Sequence, residues 1–389
     1  MDKTLNSNNS DKNLNHHFSS LESTSKENNS LDQLESLELA SDGSQSGASK
    51  TQVLLNTKPK AFKNINRNVK QNWMITIFYT LFALLTILFF CIAVYYDFAN
   101  HKWNSTYLES NLIMQFEMTI AGVGIGVVGG ALQATTRNDL SGPTTLGFMP
   151  AIILGIYIPI LANETSPSPF WSSIGAKFLF SIIFGMVLLL INFLLTRRTK
   201  NLKNNYVPLL VGFAIGVIIA VICTIVDNYN VAIQTSGYTP NGIWGGVQKI
   251  SYQVGFIEYG APLTLIPAII IVCLSKYLNL VEKDPTLAKS MGVNVELIYW
   301  VVGILSVIII AANVLMVGSI LLLAIVAPHV ARKLFRTTNY LVILPFSILV
   351  CMMLLNLSNL VTEADTTIGI NLVPILFCAP VFVVLLKKR

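Results

Sequence analysis

Long stretches without a formal charge alternate with short polar segments from residue 71 to the end of the chain. A transmembrane helix needs roughly 17–25 predominantly apolar residues to cross about 30 Å of hydrocarbon. The uncharged stretches are 71–96, 118–136, 140–163, 178–196, 204–226, 259–275, 297–331, 337–362 and 366–386. Each of them except 297–331 therefore predicts one membrane-spanning helix.

The stretch 297–331 is too long for a single crossing. As one α-helix with a rise of 1.5 Å per residue, its 35 residues would extend about 52 Å. We therefore predict a hairpin with its turn near Asn313. The whole pattern predicts an all-α polytopic membrane protein with about ten transmembrane helices.

Small residues recur in the second predicted span. Gly122, Gly126 and Gly130 follow one another at four-residue spacing. Such residues let helix backbones approach closely, so the pattern favours tight helix packing at this span.

The composition agrees with a membrane protein and indicates its orientation. The 389 residues are 53% hydrophobic and 12% charged, whereas about 25% of residues in soluble domains are charged. Of the 26 Lys and Arg residues, nineteen lie on the side of both termini, four in the far N-terminal tail and three opposite, at Lys102, Lys177 and Lys249. Positive residues accumulate in cytoplasmic segments. We therefore predict a multi-pass plasma-membrane protein with cytoplasmic termini. The basic balance reflects this orientation and predicts no nucleic-acid partner.

Residues 1–70 form a polar region ahead of the predicted transmembrane domain, residues 71–389. The first fifty residues contain twelve Ser and seven Asn. This bias predicts a disordered cytosolic tail, because such a segment cannot bury enough apolar surface to fold. Its basic end, 58–70, is expected to rest on anionic lipid headgroups.

Residues suited to catalysis or metal binding are sparse. All five cysteines fall in apolar stretches without Cys-x-x-Cys spacing, which is typical of small buried hydrophobes. The four histidines form no ligand set. We therefore predict no metal site and no cofactor.

The predicted spans carry no Asp, Glu, Lys or Arg at mid-membrane depth. Proton- and ion-coupled transporters usually place ionisable residues there, and channels for small ions usually show polar or charged rings. If the protein moves a solute, we expect the energy to come from another subunit.

A short polar segment, Lys283 to Glu296, lies between two predicted spans on the cytoplasmic side. Asp284 is a good helix N-cap and Pro285 suits the first helical position. Gly292 predicts a left-handed helix end, and Asn294 caps the helix that follows. The segment therefore predicts two helices joined by a sharp turn.

The first of these helices is predicted to present a small apolar knob. Leu287, Ala288 and Met291 are expected on one face. Such a knob suits a groove on a partner protein. The alternative is an interfacial helix that lies on lipid.

Several motifs in this chain resemble those of one family. The family is the FecCD-like permeases of ABC importers for ferric siderophores, haem and cobalamin, and the chain looks like a divergent member over roughly residues 72–389. The motifs are Gly129-Gly130-Ala131-Leu132-Gln133 with Arg137-Asn138-Asp139-Leu140, Pro143 and Thr144-Thr145-Leu146-Gly147; Trp244-Gly245; Ala288-Lys289-Ser290-Met291-Gly292-Val293; Gly318-Ser319-Ile320 with Ala327-Pro328-His329-Val330-Ala331-Arg332; and Ala379-Pro380-Val381-Phe382.

The resemblance implies a transport subunit that is not itself an enzyme. Two permeases, as two copies or as two paralogues, would pair with two ABC ATPase subunits. An extracytoplasmic substrate-binding protein or lipoprotein would deliver the solute. ATP-driven movement would enter the permease through coupling helices at about 284–296.

The resemblance also implies roles for individual residues. It assigns ATPase coupling to Asp284, Leu287, Ala288, Ser290, Met291, Gly292 and Val293. It assigns a cytoplasmic gate to Asn138 and Leu140, for which an ordinary helix C-cap with an apolar anchor is the alternative. It assigns structural roles to Gln133, Arg137, Pro143, Gly147, Trp244, Gly318, Pro328, His329, Arg332 and Pro380.

The chain departs from the family pattern at positions that bear on partner docking. Where the family often has arginines before the second span, this chain has Asn111 to Met114, and the loop before the last span has Glu363 and Asp365. Asp139 replaces a proline of the family motif. An arginine-based docking scheme is therefore not expected to carry over.

Two other functions stay open at this point. One is a secondary transporter or channel without an ATPase partner, which the uncharged span interiors argue against. The other is a permease of the related metal-ion ABC class, for which polar ligand clusters would be expected. The family implies import of an iron complex, haem or a cobalamin-like solute, and the sequence does not select among them.

Overall fold

The computed structural model describes residues 73–96, 105–198, 207–230, 233, 254–318, 320, 322–364 and 372–386, and within them every regular element is helical. In chain order the helices are α1 Trp73–Tyr96, α2 Ser105–Thr136, α3 Phe148–Thr165, α4 Pro169–Ser172, α5 Ile174–Arg198, α6 Val207–Tyr229, α7 Val254–Cys273, α8 Ser275–Lys283, α9 Pro285–Ser290, α10 Val295–Met316, α11 Leu323–Phe335, α12 Tyr340–Ala364 and α13 Leu372–Leu386. The predicted tail and Trp244 lie outside the described residues.

Helix α2 is the helix around which many of the others pack. It contacts α12 along much of its length and also contacts α7, α10 and α11. The glycines of the second predicted span explain how close α12 comes. A Cβ atom on Gly122 would lie 2.7 Å from the Cα of Met352, and one on Gly126 would lie 2.6 Å from the Cα of Ile348. The predicted tight packing is therefore confirmed.

Further glycines bring α2 against α10 and α11. A Cβ atom on Gly124 would lie 2.5 Å from the side-chain nitrogen of Asn313 in α10. One on Gly129 would lie 1.8 Å from the carbonyl oxygen of Ala324 in α11. Because the Ala324 carbonyl belongs to the backbone and cannot move aside, the approach at Gly129 requires glycine, whereas a side chain would have to shift at Gly124.

The turn predicted near Asn313 comes a few residues later in the chain. Asn313 lies inside α10, where its side chain donates to the carbonyl of Ala121 at 3.3 Å and accepts from the hydroxyl of Thr264 at 3.1 Å. Its polar group is thus satisfied between helices without a break in α10. The chain turns after Met316, where Gly318 has a φ of +89°. Helix α11, with 13 residues, is about 20 Å long and too short to cross the hydrocarbon alone.

The polytopic all-α architecture is confirmed. In the described residues, seven helices are long and apolar enough to cross a membrane, or eight if α7 and α8, which meet at a bend of 58°, form one span. Helices α11 and α13 are shorter. The total of ten spans and the cytoplasmic position of both termini stay predictions.

Several predicted span boundaries are wrong, two of them at buried carboxylates. The apolar part of α2 begins at Leu112, so Glu117 lies within this span and is 2% exposed. Asp227 lies within α6 and is 5% exposed. A predicted span that ends at each charged residue leaves Glu117 and Asp227 outside. In the structure the helical backbone hydrogen bonds continue past both residues. Glu117 is the sixth residue of the apolar part of α2, and Asp227 lies two residues before the end of α6. The central parts of the described apolar helices carry no Asp, Glu, Lys or Arg.

Helices α1 and α6 lie at the periphery of the described bundle. Helix α1 rests on it through the ring of Tyr79, which stacks on that of Phe335 at a centroid distance of 5.7 Å. Helix α6 packs on α3 and α5 but leaves a large apolar face open, with Leu210 70% and Ile218 61% exposed. This face is available to lipid or to another protein.

We expect Gly129→Ala to lower the midpoint of thermal unfolding in detergent by several degrees. The added methyl group would push α2 away from α11, and overpacking of this kind typically costs about 1–3 kcal/mol. Gly175→Ala is the matched control, because nothing lies within 4 Å of a Cβ atom at that position in α5. Equal loss of stability in the two variants, measured by intrinsic fluorescence on heating, would contradict the packing argument.

Candidate coupling element and gate loop

The start of α9 is fixed by a side-chain cap. The Asp284 carboxylate accepts from the Thr286 hydroxyl at 2.6 Å and from the backbone N–H groups of Thr286 and Leu287 at 2.8 and 3.3 Å. The hydroxyl of Thr286, followed by the two N–H groups, lowers the pKa of Asp284. The cap therefore stays ionised at neutral pH, and Pro285 occupies the first helical position as predicted.

The end of α9 is a Schellman motif. The N–H of Val293 donates to the carbonyl of Ala288 at 2.9 Å, and that of Gly292 donates to Lys289 at 3.0 Å. Gly292 has a φ of +83°, the left-handed conformation that this motif requires. The Asn294 side chain then accepts from the next helix, α10. The predicted pair of capped helices with a sharp turn is confirmed. We call residues 284–296 the coupling element.

The apolar knob of the coupling element is smaller than predicted. Leu287 and Met291 are 52% and 62% exposed, whereas Ala288 is fully buried. Successive helix residues point about 100° apart, so Ala288 faces inward while its neighbour Leu287 faces out. Val293 is half-buried against the core, and Ser290 is exposed. The exposed apolar surface therefore consists of Leu287 and Met291, with Ala288 as its packed base.

The segment after α2, residues 137–142, is called the gate loop here, after the role predicted for it. Arg137 has a φ of +51°, and the N–H of Asn138 donates to the carbonyl of Gln133 at 3.2 Å. The buried Asn138 side chain accepts from the N–H of Leu140 at 3.0 Å. The backbone N–H of Asn138 thus bonds the last turn of α2, and its side chain forms a turn with Leu140 beyond the helix. The gate role of Asn138 and of the half-buried Leu140 stays a prediction.

The chain from the gate loop to α3 is held by further hydrogen bonds. The Thr145 hydroxyl accepts from the N–H of Gly142 at 2.8 Å and donates to the carbonyl of Leu140 at 3.0 Å. The carbonyl of the buried Pro143 accepts from Phe148. Gly147 has a φ of +78°, and a Cβ there would lie 2.3 Å from the carbonyl oxygen of Gly212 in α6. These contacts fix the loop between α2, α3 and α6.

Arg332 joins three elements beside the gate loop. Its guanidinium donates to the Asp139 carboxylate at 2.8 Å, to the Gln133 side-chain oxygen at 2.8 Å and to the Tyr340 hydroxyl at 2.9 Å. Gln133 in turn donates to the carbonyl of Ile325 at 3.0 Å. The structural roles predicted for Gln133 and Arg332 thus correspond to one network. The sequence reasoning treated Asp139 only as a departure from a motif and missed Tyr340.

The remaining predicted residues do not join this network. Gly318 and Pro328 are buried, and Pro328 lies 3.8 Å from where a Cβ of Gly130 would be. His329 is half-buried one residue farther along α11, and Pro380 is exposed in α13. Among the described residues, no group of three or more His, Cys, Asp or Glu side chains could hold a metal ion.

Comparison with known proteins gives one consistent result. The model of the FecCD transport family matches residues 73–388. The chain is 29% identical over 247 residues to the probable heme-iron transport system permease protein IsdF of Staphylococcus aureus strain bovine RF122 / ET3-1, which covers 62% of this chain and 68% of that protein. It is 30% identical to the protein of the same name in strain Newman, again over 62% of this chain and 68% of that protein. The fold is similar to a solved structure described as an inward-facing metal-chelate type ABC transporter, with a TM-score of 0.66 and 22% identity over 81% of this chain and 100% of that chain.

The turn at Gly292 yields a prediction about local stability. A Cβ at Gly292 would meet nothing within 4 Å, so only the positive φ requires glycine there. We expect Gly292→Ala to speed amide exchange at Val293 about fivefold, because a left-handed alanine costs about 1 kcal/mol. Gly292→Asn should exchange more slowly than Gly292→Ala, since Asn tolerates this conformation. Equal exchange in the two variants, measured by mass spectrometry, would contradict the role of φ.

Proposed function

This chain belongs to the FecCD transport family, and we propose that it is the membrane-spanning permease subunit of an ABC importer for an iron chelate such as haem or a ferric siderophore. The observation that carries the mechanism is the coupling element. It presents exposed Leu287 and Met291 on a doubly capped turn. A separate ATPase subunit would receive this knob in a groove, and the permease would hydrolyse no ATP itself.

The coupling element is built to transmit force. Asp284 ends α8 and at the same time caps α9, so no flexible linker separates the two helices. Asn294 caps α10 directly after the turn. A displacement of the knob would therefore move α8 and α10 with it, and both helices contact α2 at the centre of the bundle.

The composition of the described spans favours a large complexed solute. A bare ion usually needs polar or charged side chains along its path, whereas the central parts of the described apolar helices hold no Asp, Glu, Lys or Arg. The relatives named for heme-iron transport support an iron chelate as the cargo. A cobalamin-like solute is the alternative within the same proposal.

Two further partners belong to the proposal. The exposed apolar face of α6 would meet a second permease, either a copy or a paralogue. An extracytoplasmic binding protein or lipoprotein would deliver the chelate to the side opposite the coupling element. The protein would lie in the plasma membrane with both termini in the cytoplasm.

The coupling role predicts that Met291→Asp abolishes ATPase association. A carboxylate would carry its hydration into an apolar groove, which is costly without a partner charge. Met291→Leu is the matched control and should retain binding. Copurification of the ATPase from membranes measures both, and undiminished association of Met291→Asp would contradict the proposed docking.

The cargo is tested by transport. Proteoliposomes that contain the permease, its ATPase and its binding protein should accumulate haem or a ferric siderophore. Accumulation should occur only when ATP is supplied on the side of the membrane where the ATPase lies. Cobalamin serves as the comparison solute. Accumulation of cobalamin alone would replace the iron chelate as cargo, and uptake without any ATPase would support a secondary transporter.

A further inference from the structure

We propose that Arg332 and Asp139 are positioning residues that carry the movement of the coupling element to the gate loop. The inference rests on the proposed function and names the path inside the permease. It depends on an ion pair between the Arg332 guanidinium and the Asp139 carboxylate, 2.8 Å apart.

The path begins at α8, which is continuous with the coupling element. The backbone N–H of Tyr340 donates to the Asn279 side-chain oxygen at 2.8 Å. The Asn279 side-chain nitrogen donates to the side-chain oxygen of Asn339 at 2.9 Å, one residue before α12. Helix α8 is thus tied to the start of α12 by two hydrogen bonds of Asn279. A movement of the coupling element would reach Tyr340 without crossing a flexible segment.

Arg332 continues the path to α2 and to the gate loop. The Tyr340 hydroxyl accepts from Arg332, and the same guanidinium donates to Gln133 in the last turn of α2 and to Asp139. An arginine can reach these partners together because its donors lie in one rigid plane, which a lysine lacks. The side chain therefore holds α11, α12 and the gate loop in one arrangement.

Asp139 makes this link a property of this chain. It stands where the motif that the chain resembles has a proline, which offers no side-chain acceptor to a guanidinium. The Asp139 side chain is 42% exposed and that of Arg332 is 15% exposed. The pair is therefore accessible to salt. Removal of one charge is expected to change the equilibrium between arrangements of the gate loop by about two- to fivefold.

The test measures solute transported per ATP hydrolysed in the reconstituted complex. We expect Asp139→Asn to assemble normally and to hydrolyse ATP, with the transport ratio lowered about threefold. Asp139→Glu keeps the charge and should stay near the wild-type ratio. Rising salt should lower the wild-type ratio and leave that of Asp139→Asn unchanged.

Lys333→Gln is the matched control, because it removes an exposed charge beside Arg332 that makes none of these contacts. An unchanged transport ratio in Asp139→Asn, or an equal loss in Lys333→Gln, would overturn the inference. The proposed function would still stand if the wild type takes up solute with ATP. Absence of an ATPase partner for the wild type would overturn both. The test uses Asp139 variants because this side chain is partly exposed, so its substitution is expected to leave the fold intact.

Discussion

The close approach of helix backbones to α2 is the contact on which the rest of the described bundle depends. In lipid, helices gain no hydrophobic energy by meeting one another, so association rests on packing and interhelical hydrogen bonds. Gly122 and Gly126 admit α12, and Gly129 admits the carbonyl of Ala324 in α11. Because α2 touches α7, α10, α11 and α12, its position determines where these helices can lie.

Interhelical hydrogen bonds reinforce this packing at positions where an apolar side chain would be expected. Gln115 donates to Asn356 at 2.8 Å, and Asn359 donates back to Gln115, which joins α2 to α12. Asn313 and Thr264 make a similar join between α10, α7 and the backbone of α2. A satisfied amide inside a helix bundle leaves no mark in a count of charges. The length of the uncharged stretch predicts a turn near Asn313, whereas its side chain is satisfied within α10.

The same geometry connects the site to its proposed use. The coupling element stands out from the bundle as a knob of two exposed side chains, yet its flanking helices α8 and α10 both contact α2. The gate loop leaves α2 at its end and meets Arg332 from α11. Under the proposed function, a push received by one short helix would be delivered to the central helix from both sides.

The sequence by itself determined the features that depend on local chemistry. Uncharged stretches indicated membrane helices, and Asp284, Gly292 and Asn294 defined the ends of the coupling element, because capping involves residues within one turn. The tertiary structure alone decided what depends on distant residues. It turned Ala288 inward, extended α2 past Glu117, moved the hairpin turn beyond Met316 and paired Asp139 with Arg332. These outcomes follow from contacts between residues far apart in the chain, where neither periodicity nor charge spacing carries information.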